Sequence, residues 1–142
     1  MALSRKNYWN MNNYTGVIIE ESLSNKDVLQ KVKIISTKVE KVTDEHQTPW
    51  LSKWTLHTVE IPKSKAQAIA EEISKSFDYS HDNSWYVDYK NDTHHYIIFR
   101  DKTFYIDRKS KEQYVEAKRY GISLGIPGYQ VDFAPNDEIW ER

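Results

Sequence analysis

The chain contains no cysteine, which excludes a disulfide framework, a thiol nucleophile and any thiolate-held zinc or iron–sulfur centre. Glycine is scarce, with 4 residues in 142, so neither a glycine-rich phosphate loop nor a dinucleotide fingerprint can be assembled in its usual form. An excess of one charge is also lacking: 20 Lys and Arg stand against 21 Asp and Glu. That balance argues against a polybasic surface for nucleic acid or anionic lipid. No apolar run nears the ~20 residues that a membrane-spanning helix needs. The first ten residues are polar and basic rather than signal-like, so no membrane partner and a cytoplasmic location are expected.

What the chain has in quantity is tyrosine and tryptophan, 10 and 5 residues. Both offer a large apolar ring with a polar handle and suit surfaces that are half apolar and half wet. The length is that of one domain. We expect a single domain over residues 1–142, with a poorly ordered leader at 1–12 and an acidic tail at 134–142.

Patterning gives the order of elements. Residues 14–20 read as a strand, 27–30 as a short helical turn capped by Ser24, and 32–42 as an alternating strand. A polar loop with Pro49 leads to a third strand at 54–61, closed by Pro62. Ser64 with Gln67 resembles a capping box, opening a helix over 64–77 with Ile69, Ile73 and Phe77 on one face. Three short strands follow at 84–90, 94–100 and 102–107, with turns expected at Asn91-Asp92 and Asp101-Lys102. Ser110 and Gln113 repeat the capping box before a second helix, which Gly125-Ile126-Pro127-Gly128 ends; a last short strand is expected at 130–133. Strands and helices segregated in this way give an α+β fold: an antiparallel sheet of five to six strands with two main helices packed on one face.

Period-two alternation sorts the three-strand meander into two faces. Tyr86, Asp88, His95, Ile97, Phe99, Phe104 and Ile106 fall on one, which we take as the helix-covered core. Trp85, Val87, Tyr89, His94, Tyr96, Ile98, Arg100, Thr103, Tyr105 and Asp107 fall on the other. That second face is unusually aromatic for one facing water, so it is either covered by protein or used for binding. Trp85, Tyr96 and Tyr105 with His94 and Arg100 are therefore the candidate binding residues, for a small molecule, a protein partner or a second copy of the chain as a homodimer. Stacking of single-stranded nucleic acid on these rings is a further alternative, disfavoured by the charge balance.

For catalysis the candidates are His57, on the third strand, and Asp88 with His95, which share a face. A carboxylate beside His95 would favour the imidazolium and make an acid–base pair. His94 and His95 are adjacent on a strand and so point to opposite faces. No His-x-His or His-Glu-x-x-His spacing occurs, and neither a metal nor another cofactor is expected.

Residues 48–61 (TPWLSKWTLHTVEI) and 120–127 (YGISLGIP), with the strand at 14–21, resemble a group of small uncharacterised prokaryotic proteins. The resemblance covers most of the chain after Met11. It implies no activity, cofactor or catalytic residue.

Overall fold

The computed structural model describes residues 12–81 and 84–133; the expected acidic tail, and the leader apart from Asn12, lie outside the described residues. Six strands form one antiparallel sheet: β1 (Tyr14–Ile19), β2 (Lys33–Lys41), β3 (Lys53–Ile61), β4 (Val87–Lys90), β5 (His94–Phe99) and β6 (Lys102–Asp107). Their spatial order is β2-β3-β1-β4-β5-β6. Helix α1 (Ala66–Ser74) follows β3 and α2 (Lys111–Ser123) follows β6. The α+β class and the antiparallel sheet are as expected. No helix among the described residues is long and apolar enough to cross a membrane.

The expectation that both helices share one face is not met. Tyr96 and Ile98 of β5 join Ile69, Ala70 and Ile73 of α1 in one core, which includes Tyr14, Trp85, Val87 and Tyr89. Ile97 and Phe99, the alternate residues of β5, join Tyr114 and Ala117 of α2, with Ile106, Ile126, Val131 and Phe133. The helices thus lie on opposite sides of the sheet. The reason was present in the sorting itself: both faces of β5 are apolar, and burying each takes its own cover.

Both expected turns are displaced, yet the sorting of faces survives. Lys90 pairs with His95 and Phe99 with Lys102, which makes Arg100-Asp101 the second turn, with Asp101 left-handed at φ 55°. In the first, Asn91 folds back on the loop: its Oδ1 accepts from the backbone N–H of Thr93 and His94 at 3.0 and 2.8 Å. Each register differs from expectation by two residues, and an even shift leaves every side chain on its own face.

Helix starts differ from each other. Ser64 and Gln67 form no capping box; Lys63–Lys65 make a 3-10 turn after Pro62, and α1 begins at Ala66 without a side-chain cap. Ser110 does cap α2, its Oγ accepting from Gln113 N–H at 3.3 Å. The strand expected at 130–133 is replaced by a 3-10 turn, Gly128–Gln130, after which Val131 and Phe133 enter the second core.

The hydroxyls on the aromatic face are spent on α1. Tyr89 Oη donates to the Ala66 carbonyl and Tyr96 Oη to Gln67 Oε1, while Tyr14 packs edge-on against both rings at 5.7 and 5.1 Å. Burial raises the pKa of Tyr14, Tyr89 and Tyr96 above the ordinary phenol value. A folded pKa raised in this way contributes stability in full below the unfolded value, near 10. The contribution is lost as pH climbs from there toward the folded values. We expect cooperative alkaline unfolding in which the tyrosinate absorbance of these three rings rises together with loss of circular dichroism. Ionisation of all three well before unfolding would show that the rings are not enclosed.

Candidate functional site

Helix α2 covers only the β5–β6 end of its side, since the second core draws on β5, β6, α2 and the chain after it. Over β4, β1, β3 and β2 that same side carries no helix among the described residues. Val17, on a central strand, is 40% exposed there. Register fixes the floor: Thr15 lies between Lys90 and Glu60, Val17 between Asp88 and Thr58, and Ile19 opposite Leu56. On β2, Ser36, Lys38 and Glu40 stand beside Thr58, Leu56 and Trp54. From the Thr15 row to the Trp54 row this half-face runs roughly 20 Å along the strands and 14 Å across them.

Two walls convert the floor into a groove of about 1060 Å³. One is the turn after α2, from Leu124 to Gln130; the other is the loop before β3, with Glu45, His46, Gln47 and Thr48. The walls meet at a single acceptor. Tyr129 Oη and Gln130 Nε2 both donate to the Glu45 carbonyl, each at 3.0 Å. Tyr86, on the groove's β4 side, donates its hydroxyl to the Gln130 carbonyl and so holds the turn from below.

Tryptophans define the far end. Trp54 Nε1–H donates to Thr48 Oγ1 at 2.9 Å, and the His46 ring stands edge-on to Trp54 at 4.3 Å. His46 is oriented by Thr43 and Glu40: its Nδ1 accepts from Thr43 N–H at 3.0 Å and its Nε2 lies 3.3 Å from Glu40 Oε1. Trp85 tilts against Trp54 at 5.5 Å. Trp85 is only 8% exposed, and among the described residues its enclosed indole Nε1–H meets no acceptor.

The expected acid–base pair is present. His95 is 1% exposed, with Nε2 2.7 Å from Asp88 Oδ2 and Nδ1 3.0 Å from the Tyr114 hydroxyl. Asp88 lines the groove; His95 and Tyr114 stand behind it. Burial raises the Tyr114 pKa, so its phenol keeps its proton, while Arg108 hydrogen-bonds to it. The His95 ring thus bridges the Tyr114 hydroxyl and the Asp88 carboxylate.

The remaining sequence candidates lie elsewhere. His57 faces the other side of the sheet, its Nδ1 bonded to Thr37 Oγ1 and its Nε2 to Glu20 Oε1, both at 2.8 Å. Trp85 and Tyr96 belong to the core under α1, so the aromatic face is not the open binding surface expected of it. Tyr105 is 49% exposed, and stacks on His94 at 4.5 Å. It also touches Tyr96 at 4.8 Å. Arg100 sits apart from these rings, its guanidinium 3.4 Å over Tyr79. Sequence reasoning missed Trp54, Thr48, His46 and Glu40 as one cluster. A signal for the open half-face was available in Val17-Ile18-Ile19, three successive apolar residues that put apolar surface on both sides of β1. No family model, curated protein or solved structure matches this chain.

Proposed function

We propose that the protein is a small-molecule-binding domain whose site is the groove over β4, β1, β3 and β2. One observation carries this reading: a central strand of the sheet exposes apolar side chains inside a walled depression of about 1060 Å³. Ligand sites are concave and mostly apolar, with a few convergent polar groups. Here Val17, Ile19, Leu56 and Trp54 supply the apolar floor, and Thr15, Thr58, Asp88 and Lys90 the polar points. This reading keeps the binding function expected from the sequence and moves it to the opposite side of the sheet.

The test uses nile red, a neutral dye that brightens in apolar sites. It should bind the native protein and be displaced from the groove by Val17→Lys or Thr58→Arg, with affinity lower by at least about tenfold. Both positions reach solvent, so the fold should hold. Equal binding by both variants would overturn the groove as the site.

A second reading, an enzyme using Asp88 as a base, is favoured by the His95–Tyr114 support behind that carboxylate. Such support fixes the orientation and basicity of a catalytic group. Asp88→Asn would then abolish hydrolysis of a fluorogenic butyrate ester while leaving nile red bound. Absence of hydrolysis by the native protein counts against this reading and leaves the first untouched.

A further inference from the structure

We infer that the outer edge of β2 is a docking site for an extended acidic peptide, which would pair with it as one more strand of the sheet. β2 ends the strand order β2-β3-β1-β4-β5-β6, and among the described residues it pairs with β3 alone. Its nine residues, Lys33–Lys41, therefore present a row of outward backbone N–H and C=O groups. All but Glu40 are exposed. Edges of this kind are usually kept short, covered or twisted away. Here a register shift between Ile34 and Ser36 interrupts the start of the strand, and the ladder to β3 then runs unbroken from Ser36 to Lys41.

Register sorts the side chains of this edge. Ile34 stands beside Val59 and Val39 beside Thr55, on the α1 side, while Lys33, Ser36 and Lys38 stand beside Glu60, Thr58 and Leu56, on the groove side. Ile34, Ile35 and Val39 are 41, 53 and 58% exposed, apolar surface that the side chains of an added strand would cover. Lys33 and Lys38 are exposed, and their nearest carboxylates, on Glu60 and Glu40, are 4.0 and 3.8 Å away, separations at which exposed ion pairs contribute little. Lys41 lies beside Lys53.

Charge decides the occupant, since β2 carries three lysines and one glutamate. A second copy of β2 would bring the same three lysines, together with a Glu40 already shared between Lys38 and His46. Like charges set against each other across paired strands are destabilising. A nucleic acid would satisfy the lysines but leave the backbone row unpaired and the three aliphatic side chains uncovered. An extended peptide that alternates acidic with apolar residues meets every condition: carboxylates toward Lys33 and Lys38, apolar side chains toward Ile34 and Val39, main chain against main chain.

The probe is a capped, fluorescein-labelled heptapeptide of alternating glutamate and valine, titrated with the full chain and read by anisotropy. Two peptides serve as controls: one with lysine in place of glutamate, and one N-methylated at every residue, which keeps the charge and removes the backbone donors. Both should bind at least about tenfold more weakly than the parent. Lys33→Glu combined with Lys38→Glu, at exposed positions, should weaken the parent peptide by a similar factor. In the native protein, saturating peptide should slow amide exchange in β2 and leave β6, the opposite edge, unchanged. If the N-methylated peptide binds as tightly as the parent, or β2 exchange does not slow, charge alone is being read and the inference fails. It fails equally if an oligothymidylate displaces the peptide and binds more tightly. A native dimer whose β2 amides are already protected would also overturn it, because the edge would then hold a second copy. Should the double variant not fold, exchange in the native protein still decides.

Discussion

Gly16→Ala should be the most damaging single-methyl change in this chain. A Cβ at Gly16 would lie 2.2 Å from the Asp88 carbonyl oxygen and 2.7 Å from Tyr89 Cβ. Those are atoms at or beside the backbone of the neighbouring strand, which cannot swing aside as a side-chain tip does. The β1–β4 ladder holds only three pairs, with Gly16 opposite Tyr89 at its middle, and it joins the two halves of the sheet. We expect a loss of about 4 kcal/mol or more, read as a lower urea midpoint. Gly121→Ala provides a graded comparison. Its Cβ would meet Val131 Cγ1 at 2.8 Å and the Phe99 ring at 3.3 Å, side-chain atoms that can yield, so about 1–3 kcal/mol is expected. Gly128 has nothing within 4 Å of an added Cβ and serves as the neutral reference. Equal midpoints for the Gly16 and Gly128 variants would contradict the close approach of β1 to β4.

His95→Leu should cost about 3–4 kcal/mol. The imidazole is the partner of both Asp88 and Tyr114, and leucine of similar volume leaves a carboxylate and a phenol without that partner in the second core. His57→Leu is the contrasting case. His57 also bridges two groups, Glu20 and Thr37, but both reach water, so about 1 kcal/mol is expected. Calorimetric unfolding of the two variants under one condition measures the difference. A larger loss at His57 would reverse the assignment of which histidine is structurally enclosed.

The parts of this fold legible in the sequence are those governed by periodicity. Alternation placed Tyr96 and Ile98 on one side of β5 and Ile97 and Phe99 on the other, and it put Asp88 with His95, as the structure has them. Turn chemistry was less informative. Neither Asn91-Asp92 nor Asp101-Lys102 carries the glycine that would have fixed a two-residue turn, and each register settled two residues away. Which face each helix takes was not legible, because alternation ranks faces only by apolarity and both were apolar. The hydroxyls of Tyr89 and Tyr96 look from the sequence like binding handles. In the fold they hold the first turn of α1 at Ala66 and Gln67. The candidate groove depends on the loop before β3 meeting the turn after α2 at the Glu45 carbonyl, a contact across more than 80 residues. No local pattern encodes such a meeting.

The half-covered side of the sheet has a mechanical consequence. Strand β5 is clamped between two helices, whereas among the described residues β3 and β2 have no helix on the groove side, and β2 is solvent-exposed along most of its length. Opening free energies should therefore descend from β5 toward β2, as they do wherever apolar packing thins. A molecule lying in the groove would supply to the β4–β2 half the layer that α2 supplies to the other half. Occupancy would then register as slower amide exchange in β1 and β3, so that binding and stiffness of this half-sheet become one equilibrium.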